Sequence, residues 1–404
     1  MHKRVPFNPA IQRNIITSCY WASTFCEGAS RILIPLYFAS IGISISQIGI
    51  MFFFFELSGL LTDIFSGYFL NRFGYKRGLL TSLLCHTLAS IGYLALSFNL
   101  STAAILIVVN TLRIIRGVGK ELIKTTSETY LSQLKASDRK FMPIQMMIGG
   151  KDGIKGIGLL TGGFLLAWLG FQSSFLMLGI ITIVCWVIAV RFVEDYRESK
   201  RIDFRGFWNI QRRQKILAVC RALLYASRDI WLVVAVPIYL TSLGVSEIKI
   251  GTILAFGFII FGIAQPIGST IIKSKFKVGV WNKENWPYRN TVFWTALLLT
   301  VVPVLSYNWR NDLIGFSLCI FAYETLSGVA TAPHNYLHIK YVKKGRSSID
   351  IACYKTISQV GEVLGVLLSG LVYEAFGLQG CIFSASALLL GSAFLGLLLH
   401  KSTA

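Results

Sequence analysis

"IPLYFASIGISISQIG" (Ile34 to Gly49) and "VPIYLTSLGVSEIKIG" (Val236 to Gly251) align without gaps, with seven identities in sixteen positions. The two segments lie 202 residues apart in a chain of 404. A second pair agrees. "GLLTGGFLLAWLGFQ" (Gly158 to Gln172) and "GVLLSGLVYEAFGLQ" (Gly365 to Gln379) share their glycine spacing and closing glutamine, at an offset of 207. Self-similarity over half a chain means one structural unit used twice.

The unit is a bundle of membrane helices. The chain is 54% hydrophobic with a mean hydropathy of +0.62, and apolar stretches of span length recur from end to end. About 20 apolar residues in a helix cross the hydrocarbon core of a bilayer. A transmembrane barrel would instead show alternating segments of about ten residues, and the chain has none. Twelve spans are expected, beginning near Ile15, Gln47, Gly78, Thr102, Ile144, Ser173, Ile216, Ile248, Thr291, Asp312, Ile349 and Gln379. Spans four, five, ten and eleven carry internal charges that a hydropathy window understates.

The net charge of +20 comes from 39 Lys+Arg against 19 Asp+Glu. Ten of the basic residues fall inside spans and 27 fall in loops on one side, leaving only Lys249 and Arg310 opposite. That asymmetry is the positive-inside pattern, and it puts both termini in the cytoplasm with the chain in the inner membrane. The basic loops therefore do not imply nucleic acid, and no RNA-binding or zinc-finger pattern accompanies them. Met1 to Arg13 reads as a short basic lead into the first span, not a cleavable signal. The eight cysteines form no CxxC pair, which argues against a disulfide framework or a zinc site.

Six spans, a charged linker and six more spans divide the chain into an N-terminal bundle (1–192), a cytoplasmic linker (193–214) and a C-terminal bundle (215–404). Parallel repeats of this kind resemble the major facilitator transporters, which hold substrate near midplane between the halves. "GYFLNRFGYKR" (Gly67 to Arg77), between spans two and three, resembles that superfamily's loop motif G-x-x-x-D-R-x-G-x-R-R. Gly67, Arg72, Gly74, Lys76 and Arg77 fit, and Asn71 stands where aspartate is usual. The resemblance implies a gating loop at the cytoplasmic side, here without its carboxylate. The counterpart "GSTIIKSKFKVG" (Gly268 to Gly279) is degraded.

Ionisable residues inside a bilayer are costly and mark function by default. Span one carries Glu27 and Arg31, and the repeat offset sets Glu27 opposite Asp229, beside Arg228 in span seven. Either structural ion pairs or proton and substrate roles would account for them. In span four, Arg113, Arg116, Lys120 and Lys124 step by three, four and four, which predicts a cationic stripe on one side of the helix. Span five adds Lys151 and Lys155, like charges four residues apart that repel unless something offsets them. The N-terminal half is thus expected to turn several cations toward the pathway with fewer acids to balance them. Span ten offers Glu324, His334 and His338, and span eleven Lys355 and Glu362, the latter at the repeat position of Lys155. Glu56 and Asp63 in span two read as structural. Aromatic residues, among them Trp231, Tyr323 and Tyr354, either pack or line a cavity.

"EGASRIL" (Glu27 to Leu33), "GKELIKTTSE" (Gly119 to Glu128), "GGKDGIKGIGLLTGG" (Gly149 to Gly163), "SRDIWLVVAVPIYL" (Ser227 to Leu240) and "NYLHIKY" (Asn335 to Tyr341) resemble the organoarsenical-exporting permeases. The resemblance implies export of an arsenylated phosphoglycerate, a small multiply anionic metabolite. It departs in span eleven, where Ser358 and Glu362 replace an asparagine and an arginine.

The expected protein is an all-α membrane transporter of twelve helices that carries a small organic anion by alternating access, coupled to protons and working as a monomer without a cofactor. Arg31, Arg113, Arg116, Lys120, Lys151, Lys155 and Lys355 are the candidate substrate ligands. Glu27, Asp229, Glu324, Glu362 and His334 are the candidate proton-coupling groups. A carrier for a citrate-type siderophore or another polycarboxylate is the second reading, and a membrane-embedded enzyme or sensor the third. No HExxH, GxSxG or phosphate-binding loop supports the third or an ATP-driven pump.

Overall fold

The computed structural model describes residues 9–98, 100–133, 141–195, 210–277, 288–341 and 347–399. Eleven α-helices account for almost all of them: α1 (Pro9–Ser40), α2 (Ile45–Phe73), α3 (Tyr75–Gly92), α4 (Thr102–Gln133), α5 (Phe141–Phe192), α6 (Arg212–Leu232), α7 (Ala235–Ser242), α8 (Glu247–Lys277), α9 (Tyr288–Asn308), α10 (Leu313–Lys340) and α11 (Ser347–Gly396). A short 3₁₀ turn (Tyr93–Ser97) extends α3. Most of the expected linker, residues 196–209, lies outside the described residues.

Among the described residues, nine helical stretches are long and apolar enough to cross a membrane. Two of them are too long to do so once. α5 and α11 hold 52 and 50 residues, and a straight helix of that length would measure about 75 Å, more than twice the bilayer core. Each reverses at a glycine of positive φ, Gly170 (72°) and Gly377 (64°). Such a φ is strained for any side chain with a Cβ. Dividing both helices there and adding α1 gives twelve crossings in two six-helix bundles.

The repeat seen in the sequence recurs in the backbone. Gly42 and Gly244, 202 residues apart, both take positive φ (84° and 75°), and Gly170 and Gly377 are 207 apart. The two halves depart at span seven, which is broken between Leu232 and Ala235, just before Pro237. Its counterpart Pro35 stays inside an unbroken α1.

The bundles meet along α5 with α8 and along α2 with α11. Four apolar clusters fill the molecule. One joins Ile32, Leu36 and Leu159 of the first bundle to Trp231, Leu254 and Tyr323 of the second. Another joins Leu33, Phe38 and Phe52 to Val234, Ile238 and Val366. The other two, around Tyr20, Leu79 and Tyr130 and around Leu217, Leu337 and Tyr354, each belong to a single bundle. These single-bundle clusters lie toward the end where α1 and α6 begin and α2 turns into α3, called here the termini end. The shared clusters seal the halves together toward the opposite, far end. There Gly49 and Gly370 touch, and the Ser46 amide donates to Glu374 Oε2 across 2.7 Å.

Candidate functional site

The site grows from α1. Glu27 and Arg31, one turn apart, contact each other at 3.4 Å, and both reach to other helices. Lys155 of α5 donates to Glu27 Oε1 at 2.7 Å. Arg31 Nη2 donates to Glu56 Oε1 of α2 at 3.0 Å, and Lys120 of α4 takes Glu56 Oε2 at 2.7 Å. Lys120 and Lys124 also bracket Glu121, at 3.6 and 2.7 Å. A continuous chain of alternating charge, from Lys155 through Glu27, Arg31, Glu56, Lys120 and Glu121 to Lys124, therefore ties four helices together. Buried charges survive only when each has a partner in good geometry, and the alternation supplies that.

The second bundle presents a sparser set. Arg228 Nε donates to Asp229 Oδ1 at 2.8 Å on α6. Glu324 comes from α10, 2% exposed, with its Oε2 lacking any hydrogen-bond partner, as does Asp229 Oδ2. Between the bundles lies a cavity of about 20 Å³, walled by Arg31, Leu159, Arg228, Asp229, Phe258 and Glu324. That is room for one water-sized group. Two arginines and two carboxylates, drawn from both halves, face one point in the middle of the membrane domain.

Residues 16–282 match the family model described as the Major Facilitator Superfamily. The chain belongs to the major facilitator superfamily. Among solved structures, the "Crystal structure of D-xylose-proton symporter" aligns with a TM-score of 0.71, covering 96% of this chain and 97% of that one. At 12% identity the likeness is one of fold. No curated protein matches the sequence. Transport is the business of the family, and in this chain Arg31, Arg228, Asp229 and Glu324 line a cavity where the two halves meet.

The remaining sequence candidates are placed unevenly. The stripe on α4 is divided among neighbours and does not face one pathway. Arg113 is fully buried, its guanidinium between the rings of Phe52 (4.4 Å) and Phe55 (4.1 Å), with Nε donating to the Met51 carbonyl. Arg116, also fully buried, donates to the Cys26 carbonyl at 2.6 Å and to Ser90 at 3.3 Å. Cation–π and carbonyl contacts of this kind stitch α4 to α1, α2 and α3. At the centre the surplus of cations is reduced to one, because the three carboxylates Glu27, Glu56 and Glu121 pair with the four cations Arg31, Lys120, Lys124 and Lys155.

Lys151 is half-buried beside Asp152, whose carboxylate accepts from Gln265 of α8 at 3.1 Å. Lys355 of α11 pairs with Glu128 of α4 at 3.5 Å, a contact between the bundles near the termini end. Glu362 is half-buried on α11 with no ion pair among the described residues, and His334 is fully buried behind α6. Neither borders the central cavity. In the loop motif, Gly74 (φ 89°) breaks α2 from α3. Gly67 and Asn71 lie in the last two turns of α2, and Arg77 in the first turn of α3. Arg72 donates to Tyr68, and Lys76 donates to the Val190 carbonyl at 2.8 Å. Both contacts stay within the first bundle.

Glu56 is the group that sequence reasoning undervalued. Its i,i+7 relation to Asp63 suggested a structural face, yet it is the hub joining Arg31 to Lys120. The only signal was a lone carboxylate in the apolar run "IMFFFFELSG" (Ile50 to Gly59).

Proposed function

We propose that this facilitator carries a small, multiply charged organic anion by alternating access, coupled to protons. The reading rests on relative exposure: in most of the ion pairs the cation is the more exposed partner, Arg31 beside Glu27 being the exception (7% against 9%). Lys124 is 22% exposed against 3% for its partner Glu121, and Lys355 45% against 24% for Glu128. Lys120 and Arg228 are likewise more exposed than Glu56 and Asp229. A solute approaching from the termini end, where no apolar cluster bridges the bundles among the described residues, meets ammonium and guanidinium groups with carboxylates behind them. A positive-lined opening with low-dielectric walls concentrates anions.

The charge of the basic loops supports a cytoplasmic reading of that end, in an inner-membrane protein working as a monomer. Arg31, Lys120, Lys151, Lys155 and Lys355 are the proposed substrate contacts, with Glu27, Asp229, Glu324 and Glu362 carrying protons. Glu324 borders the cavity beside Arg31 and Arg228 yet forms no ion pair among the described residues, and its Oε2 has no hydrogen-bond partner, which favours it as the group that takes up and releases a proton. The permease resemblance narrows the anion to the phosphoglycerate class, moved outward. A citrate-type polycarboxylate is the second reading, favoured by Glu362 where those permeases carry a cation.

Uptake into proteoliposomes tests both. 3-Phosphoglycerate and citrate would be offered with and without an imposed pH gradient, and D-xylose as a neutral control. One anion is expected to accumulate, faster with the gradient, and the Lys151→Gln/Lys155→Gln variant to lose it. Failure to move either anion, or equal transport by the variant, sinks the proposal.

A further inference from the structure

Arg221 of α6 is a partly exposed cation without a carboxylate. Arg31, Lys120, Lys124, Lys155, Arg228 and Lys355 each have a carboxylate within 4 Å. Arg113 and Arg116 have none but are fully buried, whereas Arg221 is half-buried and forms no ion pair among the described residues. Its partners are neutral. Nε and Nη2 donate to the Tyr225 hydroxyl at 2.9 and 2.6 Å. Nη1 donates to Asn335 Oδ1 at 2.5 Å and to the Tyr354 hydroxyl at 3.5 Å. The guanidinium also lies over the rings of Tyr225 (5.1 Å) and Tyr354 (5.8 Å).

Hydrogen-bond polarity decides what this cluster can hold. The oxygens of Tyr225, Tyr354 and Asn335 accept from the guanidinium. Their donors, two phenolic O–H groups and the amide NH₂, stay available. Donors around a positive charge that has no carboxylate suit an oxyanion.

Position points the same way. Arg221 is seven residues before Arg228, so the two share one face of α6 about 10 Å apart. Asn335 is eleven residues after Glu324, three turns along the same face of α10. Both helices thus extend from the central cavity toward the termini end, and both bring a member of the cluster with them. Tyr354 closes it from α11, held by stacking on His338 at 4.0 Å. Arg221, Tyr225 and Asn335 are half-buried and so partly accessible.

We infer that Arg221, with Tyr225, Asn335 and Tyr354, is an oxyanion subsite of the second bundle, taking the phosphate or carboxylate end of the carried molecule. It rests on the anion-transport reading above and gives that reading its C-terminal ligand. A molecule with two anionic ends would bridge the subsite and the lysines of the first bundle, drawing the halves together.

The test is binding to the purified full chain, by competition and by thermal shift, with 3-phosphoglycerate, citrate and singly charged glycerate as probes. Arg221→Gln should weaken 3-phosphoglycerate or citrate at least about tenfold, as loss of charged hydrogen bonds does, while glycerate changes much less. Arg221→Lys should recover part of the loss. Tyr354→Phe, which keeps the ring and removes the donor, should weaken the same probe with the melting temperature unchanged. Unaltered binding by Arg221→Gln, or an equal loss for all three probes together with a lowered melting temperature, overturns the subsite and leaves anion transport standing. If the unmodified chain binds none of the three, the anion reading falls and the subsite with it.

Discussion

Lys155 donates to Glu27 across 2.7 Å, and that reach depends on Gly28 and Gly158, where α1 and α5 meet backbone against backbone. A Cβ on Gly28 would collide with the Lys155 carbonyl, and one on Gly158 with the Phe25 carbonyl. Small residues let membrane helices approach this closely, and here the approach also positions a buried ion pair. In the second bundle Gly365 meets Ala226 and Asp229 in the equivalent place.

Gly158→Val is therefore expected to push α5 off α1, destabilising the protein by about 1–3 kcal/mol as overpacking does. Gly153→Ala, whose new methyl would meet nothing within 4 Å, is the matched control. Thermal unfolding followed by intrinsic fluorescence should separate the two variants clearly. Coincident melting curves would show that the backbone contact is dispensable.

Glu56→Gln leaves Arg31 and Lys120 without their shared carboxylate. Each survivor keeps one longer contact, Arg31 to Glu27 at 3.4 Å and Lys120 to Glu121 at 3.6 Å, so the cost falls below that of a fully unpaired buried charge, to about 1–3 kcal/mol. Glu56→Gln with Lys120→Met should recover part of that loss, giving a coupling above ~1 kcal/mol in a double-mutant cycle. Strict additivity would mean that the two side chains do not depend on one another.

The far end is sealed where Gly49 and Gly370 touch, with a Cβ on Gly49 only 2.9 Å from the Gly370 Cα. Gly49→Leu should wedge α2 from α11, hold the far end open and abolish transport in a folded, monodisperse protein. A cysteine in place of Leu36, buried at the shared seam, should then react with an impermeant maleimide added from that side. Continued protection of that cysteine would place the seal elsewhere. Glu374→Gln should produce a weaker shift in the same direction, through the lost charge on its bond to the Ser46 amide.

Glu324→Gln is expected to uncouple transport. The variant should keep exchange of labelled for unlabelled anion at equal concentrations and lose accumulation driven by a pH gradient. Retained accumulation in Glu324→Gln would move the coupling role to Asp229, Glu27 or Glu362.

Most of the architecture is legible along the chain because it follows from local rules. The repeat offsets of 202 and 207 reappear as paired positive-φ glycines, and the expected starts at Thr102 and Asp312 fall on the first residue of α4 and the N-cap of α10. The charged residues follow a different rule. Helical spacing put Arg113, Arg116 and Lys120 on a common side. It could not say that Phe52 and Phe55 would enclose the first, that carbonyls of α1 would take the second, or that Glu56 would claim the third. Arg221 was hidden for a related reason, since it follows the basic run Arg212, Arg213 and Lys215 by only six residues. Partial exposure without a carboxylate distinguishes it from the fully buried Arg113 and Arg116, and exposure is a property of packing.

The sequence by itself determined two bundles of six membrane helices and their internal repeat. Hydrophobic length and backbone hydrogen bonding in lipid fix those features, and each can be read one segment at a time. The tertiary structure alone decided which intramembrane charges neutralise one another and which remain available to a ligand. Pairing depends on separations of a few ångströms between different helices, and only the packed bundle sets those distances.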